Sequence, residues 1–206
     1  MIFKSALAAK AVDPDAIDKV IRDYITDQAR LNSYVELDFL PFDPVAKRTE
    51  ATVKSPEGET ITVSKGAPQV ICNMAWNADA IRAEVEKGME EFAAKGLRPV
   101  ATAELKDGKW HFMGMMSLFD PPRDDSHIVI ETAIKLGASV KMITGDHLLI
   151  AKETCRRLGM GDSILGNHEL KKPEEILLGM IEGNNEFYVV SLHPFFSINF
   201  KLRFYY

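Results

Sequence analysis

The sequence predicts an α/β (α+β) chain: an antiparallel sheet carrying helices over residues 1–118, then an α-β-α unit of a parallel sheet over residues 119–165. Three observations carry this. β-rich segments with turn residues between them crowd the first part, helix-period segments flank one short apolar run in the second, and Asp120-Pro121-Pro122 separates the two patterns. Each proline fixes its own φ and Pro122 restricts the residue before it, so the domain hinge is placed there.

In chain order, Asp13 is expected to cap a helix with Pro14 at its first position, and Ile17, Val20, Ile21 and Tyr24 then share one face. Residues 34–40 alternate apolar and polar, residues 49–54 and 59–64 are β-rich, and Ser55-Pro56-Glu57-Gly58 supplies the turn of an antiparallel hairpin. A helix is expected over 79–95, with Ile81, Val85, Met89 and Phe92 inward and Gly96 as its stop. Strands over 99–104 and 110–117 follow, joined by Lys106-Asp107-Gly108-Lys109; Met113, Met115 and Met116 read as core filler. Beyond the two prolines come a helix over 125–136, Gly137 as terminator, a buried strand over 139–143, and a helix ending at Leu158 before Gly159.

Composition narrows the function. A chain of 206 residues with 46% apolar residues can bury a sizeable core, and a net charge of -5 with pI near 5.6 argues against a nucleic-acid partner, which needs a basic footprint. Cys72 and Cys155 are too few for a disulfide framework, and the five histidines lack metal-ligand spacing, so a reducing cytoplasmic setting and no metal are expected. No stretch reaches the ~18 uninterrupted apolar residues of a membrane span, and no secretory leader pattern opens the chain.

Chemistry concentrates at Thr144-Gly145-Asp146, where a parallel strand should hand over to a helix, the place at which open α/β sheets collect ligands. Thr144 can donate a hydroxyl hydrogen bond, Gly145 admits close backbone approach, and Asp146 could cap the helix whose N-terminus favours negative charge. A plain turn with an aspartate cap explains the same three residues.

Longer strings settle more. Lys141-Met142-Ile143-Thr144-Gly145-Asp146-His147, together with Phe39-Leu40-Pro41-Phe42-Asp43-Pro44-Val45-Ala46-Lys47-Arg48-Thr49, Ser64-Lys65-Gly66-Ala67-Pro68 and Leu118-Phe119-Asp120-Pro121-Pro122-Arg123, resembles plasma-membrane proton-pumping P-type ATPases over about residues 1–165. The resemblance implies a nucleotide-binding (N) domain over 1–118 and part of a haloacid-dehalogenase-like phosphorylation (P) domain over 119–165. It also implies ATP or ADP as ligand, with Phe42 stacking on adenine, Asp18 facing the adenine edge, Lys47, Lys65 and Gly66 lining the pocket, and Arg98 and Arg123 helping to place the phosphates. Thr144, Gly145 and Asp146 become the phosphate-facing catalytic loop. On residue type alone, Phe42 is a core aromatic at a strand bend, Lys47 and Lys65 are solvated strand-end charges, Asp18 is a helix-surface acid, Arg98 is a strand-edge cation, and Arg123 pairs with Asp124 or Asp125.

The family's phosphorylated Asp-Lys-Thr-Gly-Thr loop and its later magnesium-binding Gly-Asp-Gly segment do not occur in these residues. Phosphoryl transfer rests on placement and charge neutralisation, so nucleotide binding without turnover is expected, with Mg2+ joining only when the rest of the P domain is present. The resemblance places this portion on the cytosolic side of a multi-pass plasma-membrane pump; a stand-alone nucleotide-binding decoy and a soluble haloacid-dehalogenase-like phosphatase are the alternatives. Residues 166–206 depart from the likeness and become aromatic-rich from Tyr188 to Tyr206, as a strand or aggregation-prone tail of a truncated or frame-shifted product would.

Overall fold

A computed structural model describes residues 1–144, 146–161, 164 and 190–191. The chain divides into two compact units, Met1–Glu91 with Pro99–Leu118, and Phe92–Arg98 with the described residues from Phe119 on. Gly145 and the tail expected over 166–206 lie outside the described residues, apart from Val190–Ser191.

The first unit is built on a five-stranded sheet in sequential order: β1 (Val35–Leu40), β2 (Arg48–Lys54), β3 (Thr60–Gly66), β4 (Arg98–Lys106) and β5 (Lys109–Leu118). β1 pairs β2, β2 pairs β3 and β3 pairs β4, all antiparallel. Local chemistry fixes the hairpins. At the β2–β3 turn Gly58 has φ +91° and donates to the Ser55 carbonyl at 2.9 Å, while Asp107 (φ +50°) and Gly108 (φ +71°) both take the left-handed values that a two-residue type I′ turn needs between β4 and β5.

Helices cover both faces of this sheet. α1 (Ile2–Leu7), α2 (Ala16–Asp23) and α3 (Gln28–Asn32) bury Ala6, Leu7, Ile21 and Leu31 against Ala51, Val53, Ile61 and Val63, the alternate residues of β2 and β3 that share a face. α4 (Pro68–Met74) packs Ile71 and Met74 onto Ala101, Ala103, Phe112 and Met115, and the long α5 (Ala78–Ala94) follows it. Consecutive methionines on β5 therefore serve two cores, Met115 in this cluster and Met116 against the first. Because both faces are covered at β4, its polar residues are buried too: Thr102 shares a short hydrogen bond with Ser5, and Glu104 accepts from Lys4 at 2.7 Å. Burial pushes the Glu104 carboxyl up, but Lys4 and Lys106 outweigh it and hold the group below its ordinary value.

The second unit contains α6 (Ser126–Lys135), β6 (Ile143–Thr144), α7 (Leu148–Leu158) and β7 (Val190–Ser191), the last paired parallel with β6. Val140 and Met142 are buried against Ala151, Cys155, Leu158 and Met160, with Ile130 and Ala133 of α6 alongside. Gly159 ends α7 at φ +70°, and the Met160 N–H reaches back to the Cys155 carbonyl at 2.9 Å, the bond pair of a glycine-terminated helix.

Four local expectations need correction. Asp15, not Asp13, caps α2, accepting from the Asp18 N–H at 2.7 Å, while Asp13 sits in the turn before it with φ +52°. Of the predicted α2 face only Ile17 and Ile21 pack inward; Val20 and Tyr24 are exposed, and Asp18 takes the buried place. His147, not Asp146, caps α7, its Nδ1 accepting from the Leu149 N–H at 3.3 Å. Residues 139–142 are not strand although Val140 and Met142 are buried, because only Ile143–Thr144 find a pairing partner among the described residues. Three short helices, α1, α3 and α4, were not anticipated; α4 nonetheless carried a readable start signal in Pro68 at its first turn.

Candidate functional site

In the first unit the sequence-flagged residues converge on the β2–β3 hairpin and the loop that feeds it. Phe42 is 55% exposed on that loop, so its ring is not part of a core. Asp43 turns the chain under it: Oδ1 accepts from the N–H groups of Val45 (2.9 Å) and Ala46 (2.6 Å), and its carbonyl accepts from the Lys47 N–H at 2.6 Å. An aspartate followed by proline is suited to this, since the carboxylate mimics a backbone acceptor and Pro44 presets φ for the next turn position. Lys47 then leaves the turn in left-handed backbone (φ +53°), and its carbonyl accepts from the Ala67 N–H at 3.0 Å.

Gly66 is where this loop meets β3. A Cβ there would overlap the Lys47 carbonyl oxygen and lie 2.7–2.8 Å from Arg48 Cα and Cβ, so a side chain cannot enter without moving the loop backbone.

Lys65 points the opposite way, with Ile61 and Val63, into the face covered by α1, α2 and α3, as the two-residue period requires. Its ammonium pairs with Asp18 Oδ1, and both side chains are nearly enclosed at 6% and 4% exposure. The other Asp18 oxygen accepts from the Lys10 N–H at 2.8 Å. On the other face Arg48 pairs with Glu50 and donates to Ser64 Oγ at 3.2 Å. Of the three cations gathered at the open end of this hairpin, Lys65 and Arg48 thus have carboxylate partners, whereas Lys47 has none among the described residues.

The second unit holds the remaining flagged residues. Arg98 pairs with Asp146, whose own N–H donates to Thr144 Oγ1 at 3.1 Å, so Thr144, Asp146 and Arg98 are drawn together at the C-terminal end of β6. Arg123 stands apart from them, largely exposed and 3.5 Å from Asp125. Glu153 on α7 was not singled out from sequence. Arg156 and Arg157 both bond its carboxylate at 2.7 Å and hold it down to about 2; Arg157 also donates to the Lys95 carbonyl at 3.0 Å and lies over the Phe119 ring. The i, i+3 and i, i+4 spacing of these residues was the available signal. Burial pushes the Cys155 thiol up to about 11, which makes it a packing residue rather than a nucleophile.

Neither of two concavities in the described structure includes a flagged residue. One of about 190 Å³ is lined by Leu7, Arg22, Tyr34 and Glu36, and one of about 610 Å³ by Leu149, Lys152, Glu153 and Arg156. Among the described residues no helix is long and apolar enough to cross a membrane, and no group of three or more His, Cys, Asp or Glu side chains is placed to hold a metal ion.

A helix-covered antiparallel sheet with an exposed aromatic loop, followed by a unit in which Thr144, Asp146 and Arg98 meet at the end of a parallel strand, defines the class: a two-unit α/β chain. Relatives place it further. It is 41% identical over 175 residues to a Methanocaldococcus jannaschii protein named "Putative cation-transporting ATPase", covering 84% of this chain and 22% of that protein. It is 44% identical over 165 residues to two Leishmania donovani proteins named "Probable proton ATPase 1A" and "Probable proton ATPase 1B", covering 78% of this chain and 17% of each. No family model matches the chain. Over about four fifths of its length this chain is a relative of the P-type cation and proton ATPases, its sheet matching the N domain of that family, and it spans about a fifth of the length of the curated relatives it matches.

Proposed function

We propose that this chain is the ATP-holding portion of a P-type cation pump, facing the cytosol, with the proton as cargo on the strength of the two relatives named for it. The observation that carries the reading is Phe42, a large aromatic side chain left 55% exposed on a tightly bonded loop. An exposed ring suits stacking on adenine, and Lys47, five residues on and without a carboxylate partner among the described residues, is the cation suited to a phosphate oxygen. Asp18 and Lys65 neutralise one another and are nearly enclosed, so they would reach the nucleotide's amine and phosphates only if that pair opened. Arg98, Arg123 and the Thr144-Gly145-Asp146 segment would take part once a phosphoryl group is presented to them.

No Asp-Lys-Thr-Gly-Thr segment occurs in these 206 residues, so the chain by itself holds nucleotide rather than forming an aspartyl-phosphate. Mg2+ would join through the nucleotide phosphates together with the rest of the P domain. Calorimetric titration with ATP and ADP tests the reading. Base–aromatic stacking contributes about 1–3 kcal/mol, so Phe42→Ala should weaken adenine nucleotides by roughly fivefold to 150-fold. Equal affinity of both proteins, or no heat from the unmodified chain at millimolar nucleotide, would remove the assignment.

A further inference from the structure

Resting on the nucleotide reading, we propose that Asp43 and Gly66 are positioning residues that pre-form the Phe42–Lys47 loop before any ligand arrives. Neither need touch the ligand. Asp43 ties the turn from within through three bonds, two to its carboxylate and one to its carbonyl, and every donor lies between Phe42 and the first residue of β2. Gly66 ties it from outside. Arg48 is its pairing partner across the β2–β3 ladder, and its missing side chain lets the Lys47 carbonyl close onto β3 and accept from the Ala67 N–H. Lys47 is thereby held in left-handed backbone, a conformation a lysine does not choose unaided. The two anchors act on opposite ends of one short segment, so the aromatic ring at one end and the ammonium-bearing residue at the other keep a fixed spacing.

That spacing matters for specificity. A loop already in its binding geometry loses less conformational freedom on association, and it favours ligands whose aromatic and anionic parts match the set distance. A base with an attached polyphosphate is of this kind; a free base or free phosphate satisfies only one end. The chemistry therefore points to a nucleoside polyphosphate, with Asp43 and Gly66 acting through Phe42 and Lys47.

The test uses the full chain and two readouts. Amide hydrogen exchange without nucleotide should show Val45, Ala46 and Lys47 protected; Asp43→Ala should release Val45 and Ala46, whose acceptor is the lost carboxylate, while Val63, in the centre of the sheet, keeps its protection. Asp43→Asn retains an acceptor at Oδ1 and should restore protection, and Gly66→Ala should release Lys47 and Ala67. Against ATP, Asp43→Ala and Gly66→Ala should weaken binding on the order of tenfold, with Asp43→Asn near the unmodified value. Unchanged exchange in Asp43→Ala overturns the proposal, as does lost protection with unchanged affinity. If the unmodified chain binds no ATP, the nucleotide reading fails, and the exchange readout still decides whether the two residues hold the loop. Should Gly66→Ala fail to fold, the Asp43 pair of variants decides alone.

Discussion

Replacing Lys65 by methionine should cost the first unit far more than a surface charge is worth. The Lys65 and Asp18 side chains are 6% and 4% exposed, so removing the ammonium leaves a carboxylate in the interior with one remaining partner, the Lys10 N–H at 2.8 Å. Breaking a buried pair by deleting one member costs about 3–5 kcal/mol, and the surviving hydrogen bond argues for the lower end, ~3 kcal/mol. That is a loss of roughly 150-fold in the folding equilibrium. In a unit of about 110 residues it lowers the melting temperature by roughly 12 °C or more. Trp76 and Trp110 both lie in this unit, so urea unfolding followed by tryptophan fluorescence reads it directly. Asp18→Asn combined with Lys65→Met removes both charges and should recover most of the loss, because exchanging a buried pair for neutral side chains of similar volume is often close to neutral. A Lys65→Met loss below ~1 kcal/mol, or a double variant no better than the single one, would refute the buried-pair reasoning. Binding experiments inherit a consequence: a Lys65 variant that loses nucleotide has also lost stability. Phe42→Ala, at an exposed position away from any core, should change stability by less than ~0.5 kcal/mol and reports on the ligand alone.

Other consequences are local. Gly108→Val forces a β-branched residue into the left-handed half of the β4–β5 turn and should lower the stability of the first unit by ~1–2 kcal/mol in the same urea assay, whereas Asp107→Asn should leave it nearly unchanged. Asp15→Ala removes the acceptor of the Asp18 N–H and should cost ~1 kcal/mol, with Asp15→Ser restoring most of it. Glu153 is held at about 2, against an ordinary value of 4.5, by Arg156 and Arg157. Its folded value is depressed, so the stabilisation is complete above pH 4.5 and disappears as pH falls through 2; with Arg156 in solvent it amounts to ~1 kcal/mol. Thermal melts between pH 5 and pH 2 should show this loss, and Glu153→Gln should remove its share of the slope.

How much of this was legible in the sequence depended on whether the information was local. The β2–β3 and β4–β5 turns carry their own chemistry in Gly58 and Asp107-Gly108, and the predicted strands around them match those observed to within one or two residues at most ends. α5 was expected over 79–95 and lies at Ala78–Ala94, because a long apolar period ending at a glycine needs no distant partner to be read. The run from 139 to 143 shows the opposite. Its burial was readable from composition, and Val140 and Met142 are indeed enclosed, but strand identity requires a neighbour, which only Ile143–Thr144 have. Capping failed for a related reason: Asp13 and Asp15 are equally good acceptors in isolation, and the backbone path, left-handed at Asp13, chose between them.

The charges at the β2–β3 hairpin mark the boundary of what residue type can reveal. Lys47, Arg48 and Lys65 look alike in the sequence as basic residues near strand ends. The alternation Ile61, Val63, Lys65 does announce that Lys65 faces the covered side of the sheet, but nothing nearby in the chain names Asp18, forty-seven positions earlier, as its partner. Arg48 faces the other side and meets Glu50 two residues along its own strand. Once both are paired, the capacity of the hairpin's open end to attract an anion rests on Lys47, and the position of Lys47 rests on a turn made by Asp43 and on a side chain that Gly66 lacks. Electrostatic availability is therefore a property of the pairing pattern in the folded unit, and counting cations along the chain overstates it threefold.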